Sequence, residues 1–197
     1  MGHDLNYAAL IGSRICHDLI SPIGAINNGL ELIEMSAPSL GPEMALISDS
    51  VASASARIRF FRIAFGAAAD QMIGAQEVTS LLKDSYDGGR FMVTWHPSEP
   101  QQRSVIRMTF LALMCMETAM PYGGRIEVSH NGTRMIVSGI ADKLKIEDGL
   151  WSTLTSVEKQ DDLRPAHVQF GLLPLIAQDE GCDLSVDIAE QEITIRI

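Results

Sequence analysis

The stretch LNYAALIGSRICHDLISPIGAINNGLELI, Leu5 to Ile33, decides the fold. Leu5, Ala9, Gly12, Cys16, Leu19, Ile23, Ile26, Leu30 and Ile33 recur at alternating spacings of four and three, the heptad seam of one long helix. Ser36 to Pro42 then gathers turn and breaker residues, and Pro42 suits the first turn of a second helix. That helix has its own seam, Met44, Ile47, Val51, Ala54, Ile58, Phe61 and Phe65, before Gly66 to Asp70 loosens the pattern. The two make an antiparallel hairpin. A lone hairpin cannot enclose its apolar seam, so the pattern predicts a homodimer in which two hairpins pair as a four-helix bundle over residues 5–68. The other way to cover the seam is with the C-terminal half of the same chain.

Beyond residue 72 the periodicity changes. Glu77 to Ser85, Gln101 to Met120 and Ala166 to Asp179 read as helices, and Phe91 to His96, Arg125 to Ser129, Arg134 to Gly139, Leu184 to Ile188 and Glu192 to Ile197 as strands. Asn131-Gly132 is the favoured pair for a tight hairpin turn. The expected fold class is α+β. A helical hairpin over residues 1–70 is followed over 71–197 by an α/β sandwich with a mostly antiparallel sheet.

The formal net charge of -10 and pI near 4.8 set the surface against a phosphate backbone, so nucleic acid is not an expected partner. No apolar run reaches the ~20 residues that span a bilayer, and no signal-peptide pattern opens the chain. Asn6 stands where a myristoylation motif needs Ser or Thr. A cytoplasmic protein without a membrane anchor is expected. Cys16, Cys115 and Cys182 lack CxxC spacing and read as reduced core thiols, and the five histidines lack metal-ligand spacing, so no metal site is assigned.

Within the first helix, His17 occupies heptad position b, facing away from the seam of Cys16 and Leu19, and is expected to be exposed. An exposed imidazole is a competent nucleophile near neutral pH, provided one ring nitrogen holds the proton while the other attacks. Asp18 is the adjacent group able to orient the ring. Ser21 lies one turn further along the same face, where its hydroxyl would bond a phosphoryl group or a water. Pro22 removes the hydrogen bond to the carbonyl of Asp18 and is expected to bend the helix one turn after His17. With a turn near residue 38 or 39 and a rise of ~1.5 Å per residue, residue 17 comes level with about residue 60. Arg57, Arg59 and Arg62 are therefore expected beside His17, with Arg14 one turn before it, as charges that steady a transferring phosphoryl group.

His17-Asp18-Leu19-x-x-Pro22-Ile23 resembles the phosphoacceptor box of dimeric sensor histidine kinases. More closely, Gly12 to Pro22 followed by Gly24 to Leu32 resembles bacterial histidine phosphotransferases of the ChpT type. The resemblance implies a kinase-like dimerisation bundle followed by a degenerate kinase ATP-binding domain, with His17 as the phosphoacceptor. It also implies partners: the receiver domain of a hybrid histidine kinase as donor and those of response regulators as acceptors, met by Arg14, Arg57, Arg59 and Arg62.

The degeneracy is written in the letters. A working kinase of this class needs an Asn-bearing helix for magnesium, an Asp-x-Gly-x-Gly turn and a second glycine-rich loop. The helix Gln101 to Met120 has no asparagine, and Glu117, its one acid, reads as solvent-facing. Ser138 to Lys143 lacks the glycine pair, leaving Asp142 displaced, and of the second loop only Gly171 remains, with Pro174 intruding. The implied activity is that of a carrier without ATP-dependent kinase activity or a cofactor of its own, its magnesium brought by the receiver. Two other readings compete: an atypical ATP-dependent histidine kinase, which ATP binding would reveal, and a non-catalytic dimeric adaptor, which would tolerate loss of His17.

Overall fold

The computed structural model describes residues 7–35, 41–66, 71–155 and 163–197. Leu5, the expected turn at 36–40, the segment 67–70 around the expected domain boundary, and His3 lie outside the described residues. Two helices, α1 (Tyr7–Met35) and α2 (Gly41–Ala64), form the expected hairpin, and α1 runs on through Pro22 as one helix.

Then come β1 (Met72–Ile73), α3 (Ala75–Tyr86), β2 (Phe91–Trp95), β3 (Gln101–Gln102), α4 (Arg103–Ala119), β4 (Gly124–His130) and β5 (Met135–Ile140). The chain ends with α5 (Asp148–Ser152), a 3-10 turn (Pro165–His167), α6 (Val168–Asp179), β6 (Ser185–Ile188) and β7 (Glu192–Arg196). The main sheet has the order β2-β4-β5-β7-β6. The β2–β4 pair is parallel, bridged by the crossover through α4, and the other pairs are antiparallel. The fold class is the one expected, an α+β chain with a helical hairpin and an α/β sandwich.

Alternation explains the sheet's buried face. Ile126 and Val128 of β4, Met135 and Val137 of β5, and Ile193 and Ile195 of β7 all turn inward, against α4 and α6. Helix α4 is the pillar of this layer, with 12 of its 17 residues buried. The β4–β5 turn differs by one residue from the expected Asn-Gly centre. Asn131 takes the first position, its Oδ1 accepting from the amides of Thr133 and Arg134, and Gly132 with φ +95 takes the first central one. That is a conformation an L side chain resists.

The hairpin and the sandwich share one core. Phe60, Phe61, Ile63 and Ala64 of α2 belong to the same buried cluster as Phe110 of α4 and Tyr86 of α3, with Phe60 stacked on Phe110 at 4.6 Å between centroids. Arginines of α4 cap the end of α2, Arg103 Nη2 donating to the carbonyl of Arg62 at 2.9 Å and Arg107 Nε to that of Ala64. These carbonyls have no partner within their own helix, so the caps satisfy groups that would otherwise be stranded.

Helix α1 has a second apolar stripe that the heptad reading overlooks. Tyr7, Leu10, Ile11 and Ile15 pack against the core that hairpin and sandwich share, Tyr7 reaching Gly171 of α6, whereas the seam members Ile23, Leu30, Met44, Val51 and Ile58 stay roughly half exposed. The sandwich thus covers a face beside the seam, and of the seam itself only the end at Phe61 and Phe65. Cys115 is a core thiol, but Cys16 is exposed in the single chain and Cys182 half-buried, against the expectation of three core thiols. Their contexts look alike in sequence, yet Cys16 is a seam residue and the seam is uncovered.

Candidate functional site

The site grows from the stripe that faces the sandwich. Tyr7, Ile11, Arg14 and Asp18 are spaced four, three and four along α1, so they lie on one face. Asp18 is thereby drawn in to 9% exposure of its side chain, while His17, one residue and ~100° earlier around the helix, is 81% exposed.

The two still meet, His17 Nδ1 lying 3.0 Å from Asp18 Oδ1. A carboxylate can only accept, so Nδ1 is the donor, and in the neutral ring Nε2 then keeps its lone pair. The other oxygen of Asp18 holds the cations. Oδ2 accepts from Arg14 Nε at 3.1 Å and is 3.3 Å from Arg57 Nη2. Arg14 is fixed further by donating from Nη1 to the carbonyl of Ala166 at 2.9 Å, and the Arg57 guanidinium lies over the rings of Phe60 and Phe61.

Glu117 completes the cluster and corrects its reading as solvent-facing. Its side chain is 10% exposed, and its two oxygens each take a nitrogen of Arg57 at 3.4 Å, with Arg14 Nη2 at 3.8 Å. The signal in the sequence was the company it kept. A lone acid near the end of an apolar helix buried on most sides must find a cation, and the arginines of α1 and α2 supply it. Burial alone would lower the Arg57 pKa, but the charges of Glu117 and Asp18 outweigh it and hold the group above its ordinary value. Tyr86, also unforeseen, brings its buried hydroxyl to face Glu117 and Arg57 without reaching hydrogen-bond geometry to any described residue.

The remaining expected residues divide. Ser21 is exposed one turn beyond His17. Arg59 pairs with Asp84 of α3 at 2.9 Å, and Arg62 is exposed, its side chain in no ion pair among the described residues. Only Arg14 and Arg57 are thus gathered at Asp18. A cleft of about 910 Å³ between α3, β2 and the α4–β4 turn is lined by Lys83, Arg90, Tyr122 and Asp142, but by none of His17, Asp18, Arg14 or Arg57.

Gly171 has a packing use. It is buried within α6, and a Cβ there would come within 2.7 Å of the Tyr7 hydroxyl and 2.6 Å of a Leu163 methyl. The glycine that a kinase would keep for phosphate lets α1 approach α6.

Residues 75–192 match the family model described as the histidine phosphotransferase C-terminal domain. The chain belongs to the ChpT-type histidine phosphotransferase family. Protein phosphotransferase ChpT of Brucella abortus (strain 2308) is 31% identical to this phosphotransferase over 196 residues, 96% of this chain and 93% of that one. A solved structure of a bacterial phosphotransferase superposes with a TM-score of 0.81 at 29% identity, covering 98% of this chain and 96% of that one. Against the histidine kinase AdeS of Acinetobacter baumannii the TM-score is 0.47 at 14% identity, over 92% of this chain and 96% of that one. No described helix of the phosphotransferase is long and apolar enough to cross a membrane.

Proposed function

We propose that the chain is a phosphorelay carrier that receives a phosphoryl group on Nε2 of His17 from the aspartyl phosphate of a hybrid kinase's receiver domain and passes it to the aspartate of a response regulator. The observation that carries this reading is the exposed His17 with Nδ1 tied to Asp18 and Nε2 unencumbered. In the forward step the P–O bond of the acyl phosphate breaks as the P–N bond forms, the electron pair returning to the receiver's carboxylate. The Nδ1 hydrogen stays in place, and Asp18 offsets the positive charge the ring acquires. Ser21, exposed one turn beyond His17, would offer its hydroxyl to a phosphoryl oxygen. Arg14 and Arg57 hold Asp18, the exposed Arg62 is left to meet a receiver's acidic mouth, and Arg59 would do so by exchanging its partner Asp84.

Magnesium comes with the receiver, and ATP has no part. The protein works as a cytoplasmic homodimer: the uncovered seam residues Ile23, Leu30, Met44, Val51 and Ile58 line the hairpin where a second copy would close a four-helix bundle.

Transfer of labelled phosphate from a phosphorylated receiver, without ATP, tests the reading. Wild type is expected to take up label and His17→Ala to take up none. Label on His17→Ala would refute the assignment, and label on neither, with folded dimeric protein and several receivers, would leave the adaptor reading standing.

A further inference from the structure

The junction of hairpin and sandwich holds two guanidinium groups and two carboxylates, and the carboxylates come from different parts of the fold. Asp18 belongs to α1 and Glu117 to α4. Asp18 divides its oxygens, Oδ2 to Arg14 and Arg57 and Oδ1 to His17 Nδ1. We infer that Glu117 is a positioning residue for phosphotransfer: by sharing Arg57 and Arg14 it frees Asp18 Oδ1 to orient His17, so that the α/β sandwich sets the tautomer of a histidine it does not touch. This rests on His17 being the phosphoacceptor.

Charge balance supplies the reason. With Glu117 the four groups sum to zero. Without it, Asp18 alone would face two largely buried cations, and its carboxylate would turn toward them at the expense of the His17 contact. The geometry agrees: Arg57 meets Glu117 through both terminal nitrogens, whereas it meets Asp18 through one. Arg14 is likewise strung between Asp18, Glu117 and the carbonyl of Ala166, which fixes the side of Asp18 it occupies. Glu117 stands near the end of the pillar α4, so a motion of the sandwich relative to the hairpin would be felt at His17.

The test is Glu117→Gln in the full-length protein, which keeps the side chain's shape and removes its charge, with Glu117→Asp as the conservative partner. Single-turnover transfer from a phosphorylated receiver is expected to slow about tenfold in the first-order step while the receiver's apparent KM moves less than about twofold, and Glu117→Asp is expected to recover part of the rate. Nitrogen-15 shifts of the His17 ring give a readout independent of transfer: wild type is expected to be mainly the Nδ1–H tautomer and Glu117→Gln to lose that preference. A folded Glu117→Gln protein with unchanged rate and tautomer would overturn the inference, as would a rise in KM alone, which would make Glu117 part of the docking surface. Wild-type His17 without the Nδ1–H preference would overturn it whether or not the variant folds. If wild type accepts no phosphate yet shows the expected tautomer and its loss in Glu117→Gln, the carrier reading fails and the positioning contact stands.

Discussion

The two ends of the helical hairpin are made of similar sequence and live in different surroundings. At one end, α1 from Tyr7 to Asp18 and α2 from Ala56 to Ala64 are packed by α3, α4 and α6, and the buried residues there reach 0% exposure at Phe60 and Ala64. At the other, Ile23, Leu30, Met44 and Val51 hold their heptad spacing with about half of each side chain exposed. The first end carries two apolar stripes, one for each neighbour, and the site sits where the stripe facing the sandwich turns polar at Arg14 and Asp18. The second end has one stripe and, among the described residues, no neighbour beyond the hairpin itself. A helix that must satisfy two partners encodes them on adjacent faces, and a histidine beside the sandwich-facing stripe, on the side away from the seam, is held without being buried.

Breaking the packed end is expected to have the largest effect. Phe60→Ala removes a ring that stacks on Phe110 and meets Phe61 and Tyr86 edge-on, and should cost about 3–5 kcal/mol. Urea unfolding followed by both helical circular dichroism and the fluorescence of the buried Trp151 should give one transition, displaced as a whole, because hairpin and sandwich share a core. Two separate transitions would mean that the hairpin end is stable by itself.

The open end answers to a different change. Ile23→Glu combined with Val51→Glu should leave the packed end folded and weaken self-association at least about 100-fold, since each buried aliphatic side chain contributes roughly 1.5–3 kcal/mol and the charges would face their symmetry mates. Sedimentation velocity reads this directly. A wild type that sediments as a monomer at micromolar concentration would sink the four-helix reading and leave the exposed seam to some other partner.

What could be read from the letters follows the same division. The hairpin, the five main strands and the three long helices were legible from apolar spacing and from the turn residues that separate them. The stripe of Tyr7, Leu10, Ile11 and Ile15 was not, since the heptad seam had already accounted for the helix and a second neighbour leaves no signature of its own. The β1–β3 ladder, Met72 with Gln102 and Ile73 with Gln101, is too short to show any alternation. At the site, the exposure of His17, its contact with Asp18 and the nearness of Arg57 could be read from the chain alone. Glu117 is 60 residues from Arg57 in sequence and pairs with it only because α4 passes under the end of the hairpin.

The smallest expected effect tests what holds the packed end together. Tyr86 is 7% exposed, its ring meeting Phe60 and Phe91 edge-on, and its hydroxyl has no hydrogen-bond partner among the described residues. Burial, and after it the charge of Glu117, push that hydroxyl's pKa well above the usual tyrosine value, so it is neutral throughout the working range. Tyr86→Phe keeps every ring contact and removes a buried polar atom that gains nothing from its surroundings. Stability measured by urea titration should therefore stay level or rise by up to about 1 kcal/mol. A loss of more than that would mean the hydroxyl is joined to Glu117 through a buried water. The ion cluster behind His17 would then extend to α3.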